Sequence, residues 1–489
     1  MNYPAVFRKA AYAGIVALWI AATAALVARH YRAPHTGKQA SVPVVLPDQF
    51  FGERWMGIYF GGRKIGYSRG TFDKMKGGYK MSESTTLRLT VMGSVKEVRT
   101  DTEASLSPSL LLESFHAKLM ADADLDVHGT VRGKELLLTI KTAGGSSSRV
   151  VPLPRDPSLG VSMLPALFAG GIAKGKRVEI TSFDPASLSQ QQVSVEVVGK
   201  EETEAGGTVF DAYKLKGSLG GTDFFLWLSE KGELLKEESP AGFTLVREDR
   251  AEAQKDIGAS ADLVTQASLP FNLRLPPLTQ YLKVRISGLD PAEFSLNGGR
   301  QHFVRGVLEI VREDLKSGAG RRETFVNGHA GENGALRDSA FIQSKDKRIV
   351  SLASDIVRGE KDRLKAARLI CDWVYRNIGK TPSVTFPTAV DVFLTRKGDC
   401  NEHTTLYTAL ARAAGIPTRM AAGLVYKDGR LFYHAWPEIF AESWIAVDPT
   451  FGQFPADAAH IRLVTGDVDQ QTKLIRVIGK IRIEGIAYR

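Results

Sequence analysis

TRKGDC (Thr395–Cys400), YHAW (Tyr433–Trp436) and WIAVDPT (Trp444–Thr450) decide how this chain is read. Gly398-Asp399-Cys400 follows a basic loop, Thr395-Arg396-Lys397. Beyond it Leu406, Ala409, Leu410 and Ala413 keep helical spacing until Gly415, with Pro417 just after. Glycine followed by proline stops a helix, so Cys400 is expected at or near the first turn of one. Unpaired backbone N–H groups and the helix dipole there stabilise a thiolate and lower its pKa. The same N–H groups can hold the oxyanion of a tetrahedral intermediate.

Two strands come next. Arg419 to Tyr426 is rich in apolar residues, Lys427-Asp428-Gly429-Arg430 is a turn with an Asp-Gly pair, and Leu431 to Phe440 runs back. His434, Trp436 and Glu438 share a face of the second strand by its period of two. A third strand, Ser443 to Val447, presents Asp448 before Pro449. A carboxylate at that strand end is placed to bind the far nitrogen of the histidine, fix its tautomer and stabilise imidazolium. Cysteine, histidine and aspartate in this order are the equipment of covalent acyl transfer. A rival grouping takes Cys400, Glu402, His403 and His434 as metal ligands. Cys-x-x-His is a possible ligand spacing, but at a helix start it leaves only these candidates in one tight cluster.

Upstream, Leu364, Ala367, Cys371, Val374 and Ile378 fall at steps of three and four within Asp362 to Ile378, with Lys365, Arg368, Asp372 and Arg376 on the other face. This predicts an amphipathic helix with Cys371 in its buried stripe. From Phe50 to Thr265 the pattern is β: runs such as Trp55–Phe60, Thr86–Val91, Glu135–Ile140, Val193–Val198 and Phe224–Leu228 alternate with glycine-pair turns. They imply a large antiparallel sheet or an open barrel-like fold, with a short helical stretch at Ser162 to Phe168. His116 and His128 fall in strand-like sequence without ligand spacing and read as surface histidines. Tyr281–Ile286 and Phe303–Val311 mark a second, smaller β region, followed by a loop from Asn327.

At the N-terminus, Ala10 to Ala28 is a run of 19 residues without a charge. As a helix it spans roughly 28 Å, about the hydrocarbon thickness of a bilayer. It ends in Arg29-His30-Tyr31-Arg32, with no small-residue cleavage site. An uncleaved anchor is expected, with residues 1–9 in the cytoplasm, although Arg29 and Arg32 oppose the orientation favoured by Arg8 and Lys9. Residues 29–48, which hold three prolines, read as a tether. The net charge is +10, and five basic residues precede the first acid, Asp48. No dense Lys/Arg stripe with interleaved aromatics is present, which excludes nucleic acid as the expected partner. Two cysteines, Cys371 and Cys400, cannot by themselves build a zinc framework.

The stretch from about Arg358 to His460 resembles the core of the transglutaminase-like superfamily, whose fold is that of papain-like cysteine proteases. The matching segments are ARLICDWVYRNI (Ala367–Ile378), FLTRKGDC (Phe393–Cys400), ALARAAGIPT (Ala409–Thr418), His434-Ala435-Trp436, Glu438 and WIAVDPT. The resemblance implies Cys400 as nucleophile, His434 as general base and acid, and Asp448 as the orienting carboxylate. It implies no cofactor and no metal, and the dedicated calcium sites of the animal cross-linking enzymes are not identifiable.

The expected architecture is α+β. A cytoplasmic tail (1–9), an inner-membrane anchor (10–28) and a linker (29–48) lead to a β-rich domain (49–265). A small β-rich connecting domain (266–345) and a transglutaminase-like (papain-like) catalytic domain (346–489) complete the chain. The body is expected in the periplasm or extracytoplasmic space, acting on amide bonds of proteins or peptides. The alternative is an extracytoplasmic binding or scaffold protein that keeps the fold without turnover. Hydrolysis or transamidation, the substrate and the oligomeric state are left open by the sequence.

Overall fold

The computed structural model describes residues 46, 48–153, 167, 172–184, 189–219, 222–239, 242–315, 334–385, 387–466 and 471–489. The expected anchor and nearly all of the tether lie outside the described residues, as do most of Ser162–Phe168 and of the loop from Asn327. Among the described residues no helix is long and apolar enough to cross a membrane. The chain divides into two compact units, with the boundary at Asp262/Leu263.

The first unit is a single antiparallel sheet. Its strands are β1 (Gly52–Phe60), β2 (Arg63–Met75), β3 (Gly78–Val91), β4 (Ser94–Leu106), β5 (Leu112–Met120), β6 (Leu125–Arg132), β7 (Glu135–Thr142), β8 (Gly145–Pro152), β9 (Arg177–Asp184), β10 (Ser189–Ala205), β11 (Thr208–Leu219), β12 (Thr222–Leu228), β13 (Leu234–Glu238) and β14 (Phe243–Glu248). Neighbours in sequence pair throughout except β8 and β9, and β1 pairs with β14, which leaves β8 and β9 as the edges. The β-rich reading of this region holds. Alternation decides which face is buried: Leu87, Leu89 and Val91 on β3, Leu136, Leu138 and Ile140 on β7, and Val193, Val195 and Val197 on β10 all point inward. Between β5 and β6 the register is pinned from inside. Phe115 stands opposite Gly129, and a Cβ on Gly129 would lie 2.1 Å from the Phe115 ring. The ring therefore occupies the space that any side chain at 129 would need.

The second unit packs helices against a mixed set of short sheets. Its strands are β15 (Leu269–Pro270), β16 (Tyr281–Ser287), β17 (Gln301–Val304), β18 (Val307–Val311), β19 (Gly379–Lys380), β20 (Lys397–Gly398), β21 (Thr418–Lys427), β22 (Arg430–Ala441), β23 (Ser443–Ala446), β24 (His460–Thr465) and β25 (Arg482–Tyr488). The order β15-β22-β21-β24, with β23 on β22, forms the main sheet, and β17-β18-β16-β25 forms a second. Because β16 pairs with both β18 and the C-terminal β25, the segments read in sequence as 266–345 and 346–489 fold as one unit.

Besides a one-turn helix at Leu263–Ala267, four longer helices among the described residues complete it: α1 (Lys347–Val357), α2 (Arg363–Asn377), α3 (Ala389–Thr395) and α4 (Cys400–Ala413). Asp362 caps α2 by accepting from the N–H groups of Leu364 and Lys365. The core joins Ile349 and Ala353 of α1, Ala367, Ile370 and Val374 of α2, Leu406, Tyr407 and Leu410 of α4, and Ile439 and Ile445 of the sheet. Helix α4 is its centre. Of its residues up to Arg412, Asn401 alone is not buried, so the helix that begins at Cys400 is held on all sides.

Candidate active site

Asp399 is the N-cap of α4, and the cap is reciprocal. Its side chain accepts from Asn401 N at 2.8 Å, while Glu402 Oε2 accepts from Asp399 N at 2.8 Å. Ser383 donates to Glu402 Oε1 at 2.7 Å and to Asp399 Oδ2 at 3.4 Å, and Thr385 also donates to Glu402 Oε1. Burial, and then the Glu402 carboxylate beside it, push the Asp399 carboxyl well above the usual range. The Asp399 carboxyl is thereby biased toward its neutral form, which lessens the negative charge next to Cys400. His403 is pushed down to about 4, chiefly by burial, and stays neutral. The helix dipole thus acts on the Cys400 sulfur with the opposing charge at its own cap residue disfavoured.

Helix α4 meets the sheet at the histidine strand. Thr404, one turn beyond Cys400 on the same helix face, donates to the Ala435 carbonyl at 3.1 Å. His434 is the residue before Ala435 on β22. Its Nε2 lies 2.8 Å from Asp448 Oδ2, and both side chains are fully buried. Since a carboxylate only accepts, His434 carries its proton on Nε2. Its Nδ1 is buried and has no hydrogen-bond partner. The ring plane is fixed by Phe451, stacked at 4.9 Å between centroids, and by Trp436 at 6.0 Å.

Asp448 is saturated. Oδ1 accepts from the backbone N–H of Thr450 at 2.7 Å and of Phe451 at 2.9 Å. Oδ2 also faces His460 Nε2 at 2.9 Å. Sequence reasoning does not single out His460. It opens β24, and its Nδ1 lies 2.9 Å from Asp457 Oδ1. With a carboxylate oxygen at each nitrogen, both nitrogens must donate, so His460 is an imidazolium. Burial alone would lower its pKa; the bonds to Asp448 and Asp457 outweigh that and raise it to about 9. Burial would likewise raise Asp448, but the two imidazoles hold it far below the carboxylate range.

Close packing of β24 makes this possible. At Gly423, which pairs with His434 on one side, a Cβ would sit 2.0 Å from the Ile461 carbonyl oxygen. Glu438, on the face of His434, is buried and ion-paired to Arg419 Nη2 at 2.6 Å and to Arg462 Nη1 at 3.0 Å. The two guanidiniums overcome the cost of its burial and hold it ionised. It ties β22 to its neighbour β21 and, across that strand, to β24.

Cys371 is 1% exposed and its thiol points at the Gln453 carbonyl, 3.9 Å away. Burial, reinforced by the Asp448 charge, raises its pKa, so it remains a protonated core thiol. Neither cysteine is in a disulfide. The Cys400–Glu402–His403–His434 grouping does not assemble. Glu402 is committed to the cap, and His403 Nδ1 lies 2.6 Å from the Asp399 carbonyl. Among the described residues, the clusters with metal-ligand geometry are His434–Asp448–His460 and His116–Asp126–His128.

The pKa of His460 sets a pH dependence. A group raised in the folded state stabilises fully below its unfolded pKa of about 6.5 and loses that contribution as pH climbs through its folded value. Stability should therefore fall between about pH 6.5 and about 9, by on the order of 3 kcal/mol. Urea unfolding across this range checks it: His460→Gln should flatten the alkaline decline, and an unchanged decline would remove His460 as its source.

Residues 350–449 match the family model described as the transglutaminase-like superfamily. No curated protein sequence matches the chain. Among solved structures, the chain is similar to a candidate cysteine protease from Cytophaga hutchinsonii, at 19% identity and a TM-score of 0.29, covering 43% of this chain and 85% of that one. It is similar to a β-barrel-like protein of a domain of unknown function from Brucella abortus, at 9% identity and a TM-score of 0.30, covering 40% and 94%. A candidate protease from Parabacteroides distasonis is similar at 12% identity and a TM-score of 0.19, covering 78% and 63%. Residues 350–449, which hold Cys400, His434 and Asp448 alike, are thus a transglutaminase-like domain carried within a longer chain.

Proposed function

We propose that the chain is a cysteine enzyme acting on amide bonds of proteins or peptides through a thioester. The observation that carries this reading is the bond of His434 Nε2 to Asp448 at 2.8 Å, with Nδ1 left without a partner, on a strand that the Cys400 helix meets through Thr404 and the Ala435 carbonyl. In the proposed step His434 Nδ1 takes the Cys400 proton and the sulfur attacks the amide carbonyl. N–H groups of the first turn of α4 hold the oxyanion. The C–N bond breaks, the imidazolium returns its proton to the departing amine, and a thioester remains. Water then gives hydrolysis, and a primary amine gives transamidation. Asp448 orients the imidazole and stays ionised throughout.

One observation favours a second reading, a scaffold that keeps the fold without turnover: Cys400 has no exposed surface. In the enzyme reading, the side chains that cover it move aside for substrate. We further propose that residues 10–28 anchor the protein in the inner membrane with its body outside the cytoplasm. The support is the charge-free run of 19 residues.

Trapping separates enzyme from scaffold. Incubation with a native peptide extract should leave an acyl adduct on Cys400, detectable by mass spectrometry and absent in Cys400→Ala. Asp448→Asn should lower turnover by roughly 10²–10⁴-fold. The absence of any adduct on a folded wild-type protein would favour the scaffold. For the anchor, deletion of residues 1–32 should release the protein from the membrane fraction; retention there with integral proteins would contradict it.

A further inference from the structure

We propose that His116, Asp126 and His128 form a binding site for a divalent transition-metal ion of the zinc type on the exposed face of the β-rich unit. The sheet register creates it. His116 on β5 stands directly opposite His128 on β6, and Asp126 lies two residues before His128 on the same face. Both imidazoles present Nε2 to a single oxygen, Asp126 Oδ1, at 3.1 Å and 3.0 Å. The rings stack 3.8 Å apart, nearly parallel. All three donor atoms lie within 4.8 Å of one another.

These separations suit an ion. With zinc–nitrogen and zinc–oxygen bonds of about 2.0–2.2 Å, the donor atoms of a tetrahedral site lie about 3.3 Å apart. A tilt of each ring turns the nitrogens from the carboxylate oxygen onto a shared metal. Two imidazoles and one carboxylate are a borderline donor set that selects zinc-type ions over magnesium or calcium. Three protein ligands leave a coordination position open. The side chains of His116, His128 and Asp126 are 32%, 46% and 27% exposed, so an ion and a fourth ligand reach them from solvent.

The neighbouring charges are accommodated. Lys118 lies 3.8 Å from the other oxygen of Asp126, Oδ2, which leaves Oδ1 to the ion. Glu103 on β4 stands across from His116 in the same row, with one oxygen paired to Lys80 Nζ at 3.1 Å. The backbone beneath is held by Phe115 over Gly129 and by the buried side chains of Leu125 and Val127. The ligands are thus positioned by strands, not by a loop.

The test uses the full-length protein without a polyhistidine tag, freed of metal by a chelator. Co²⁺ titration followed by visible absorption, with Zn²⁺ competition, should show one equivalent bound at micromolar concentration or tighter. His116→Ala, His128→Gln and Asp126→Asn should each weaken binding by at least about tenfold, with thermal unfolding of the metal-free protein unchanged. His460→Gln, in the buried cluster of the other unit, should leave the equivalent in place. No saturable binding by the wild type would overturn the proposal. So would an equivalent that survives the His116→Ala/His128→Gln double substitution or disappears with His460→Gln.

Discussion

Everything at the candidate site turns on the Asp448 carboxylate, held between two imidazoles and two backbone N–H groups. A buried carboxylate without such partners would protonate, because removing an ion from water costs several kcal/mol even after relaxation. Here His460 supplies the compensating positive charge, and Asp457 on its far side keeps that charge in place. His434 is then left as the one imidazole partner of Asp448 with an uncommitted nitrogen. The network thus fixes both the tautomer and the direction of the histidine before any substrate arrives.

The other half of the site is governed by the start of α4. Its cap uses two acids, Asp399 and Glu402, within one turn of Cys400. Two ionised carboxylates there would oppose a thiolate. Burial and the neighbouring Glu402 disfavour the charge on Asp399, and the hydroxyls of Ser383 and Thr385 complete the hydrogen bonding. The cap therefore begins the helix cleanly while leaving the dipole to favour negative charge at sulfur. Tight burial of the same helix explains why Cys371, on the adjacent α2, is a packing residue: its sulfur sits in the core that α4 organises.

Much of this is legible in the sequence because it is local. The Gly-Pro stop sets the end of α4, and the Asp428-Gly429 pair, both residues at positive φ, makes the β21–β22 hairpin. The transglutaminase-like resemblance rests on short segments from Ala367 to Thr450, nearly all of them inside the matched residues 350–449. His460 is not legible, since its role depends on β24 lying beside β21, a pairing across more than thirty residues. The Asp457-x-x-His460 spacing is the available signal. His116 and His128 escape any reading of spacing along the chain that ignores register. They lie nearly equidistant from the turn at Ala121–Asp124, and folding the hairpin there brings them face to face. Separating 266–345 from 346–489 overlooks β25, which returns from the C-terminal end to complete the sheet of β16.

The claim that Cys400 and His434 act as one acid–base unit is tested most directly by the rate of Cys400 alkylation by iodoacetamide against pH, with mass spectrometry of the Cys400 peptide as the readout. The account predicts a rate that is already near its plateau between about pH 6 and 8, as for thiols paired with imidazolium at a helix start, and that drops sharply there in His434→Ala. A wild-type rate that climbs only through the ordinary thiol range near about pH 8.5, with an identical curve for His434→Ala, would contradict it.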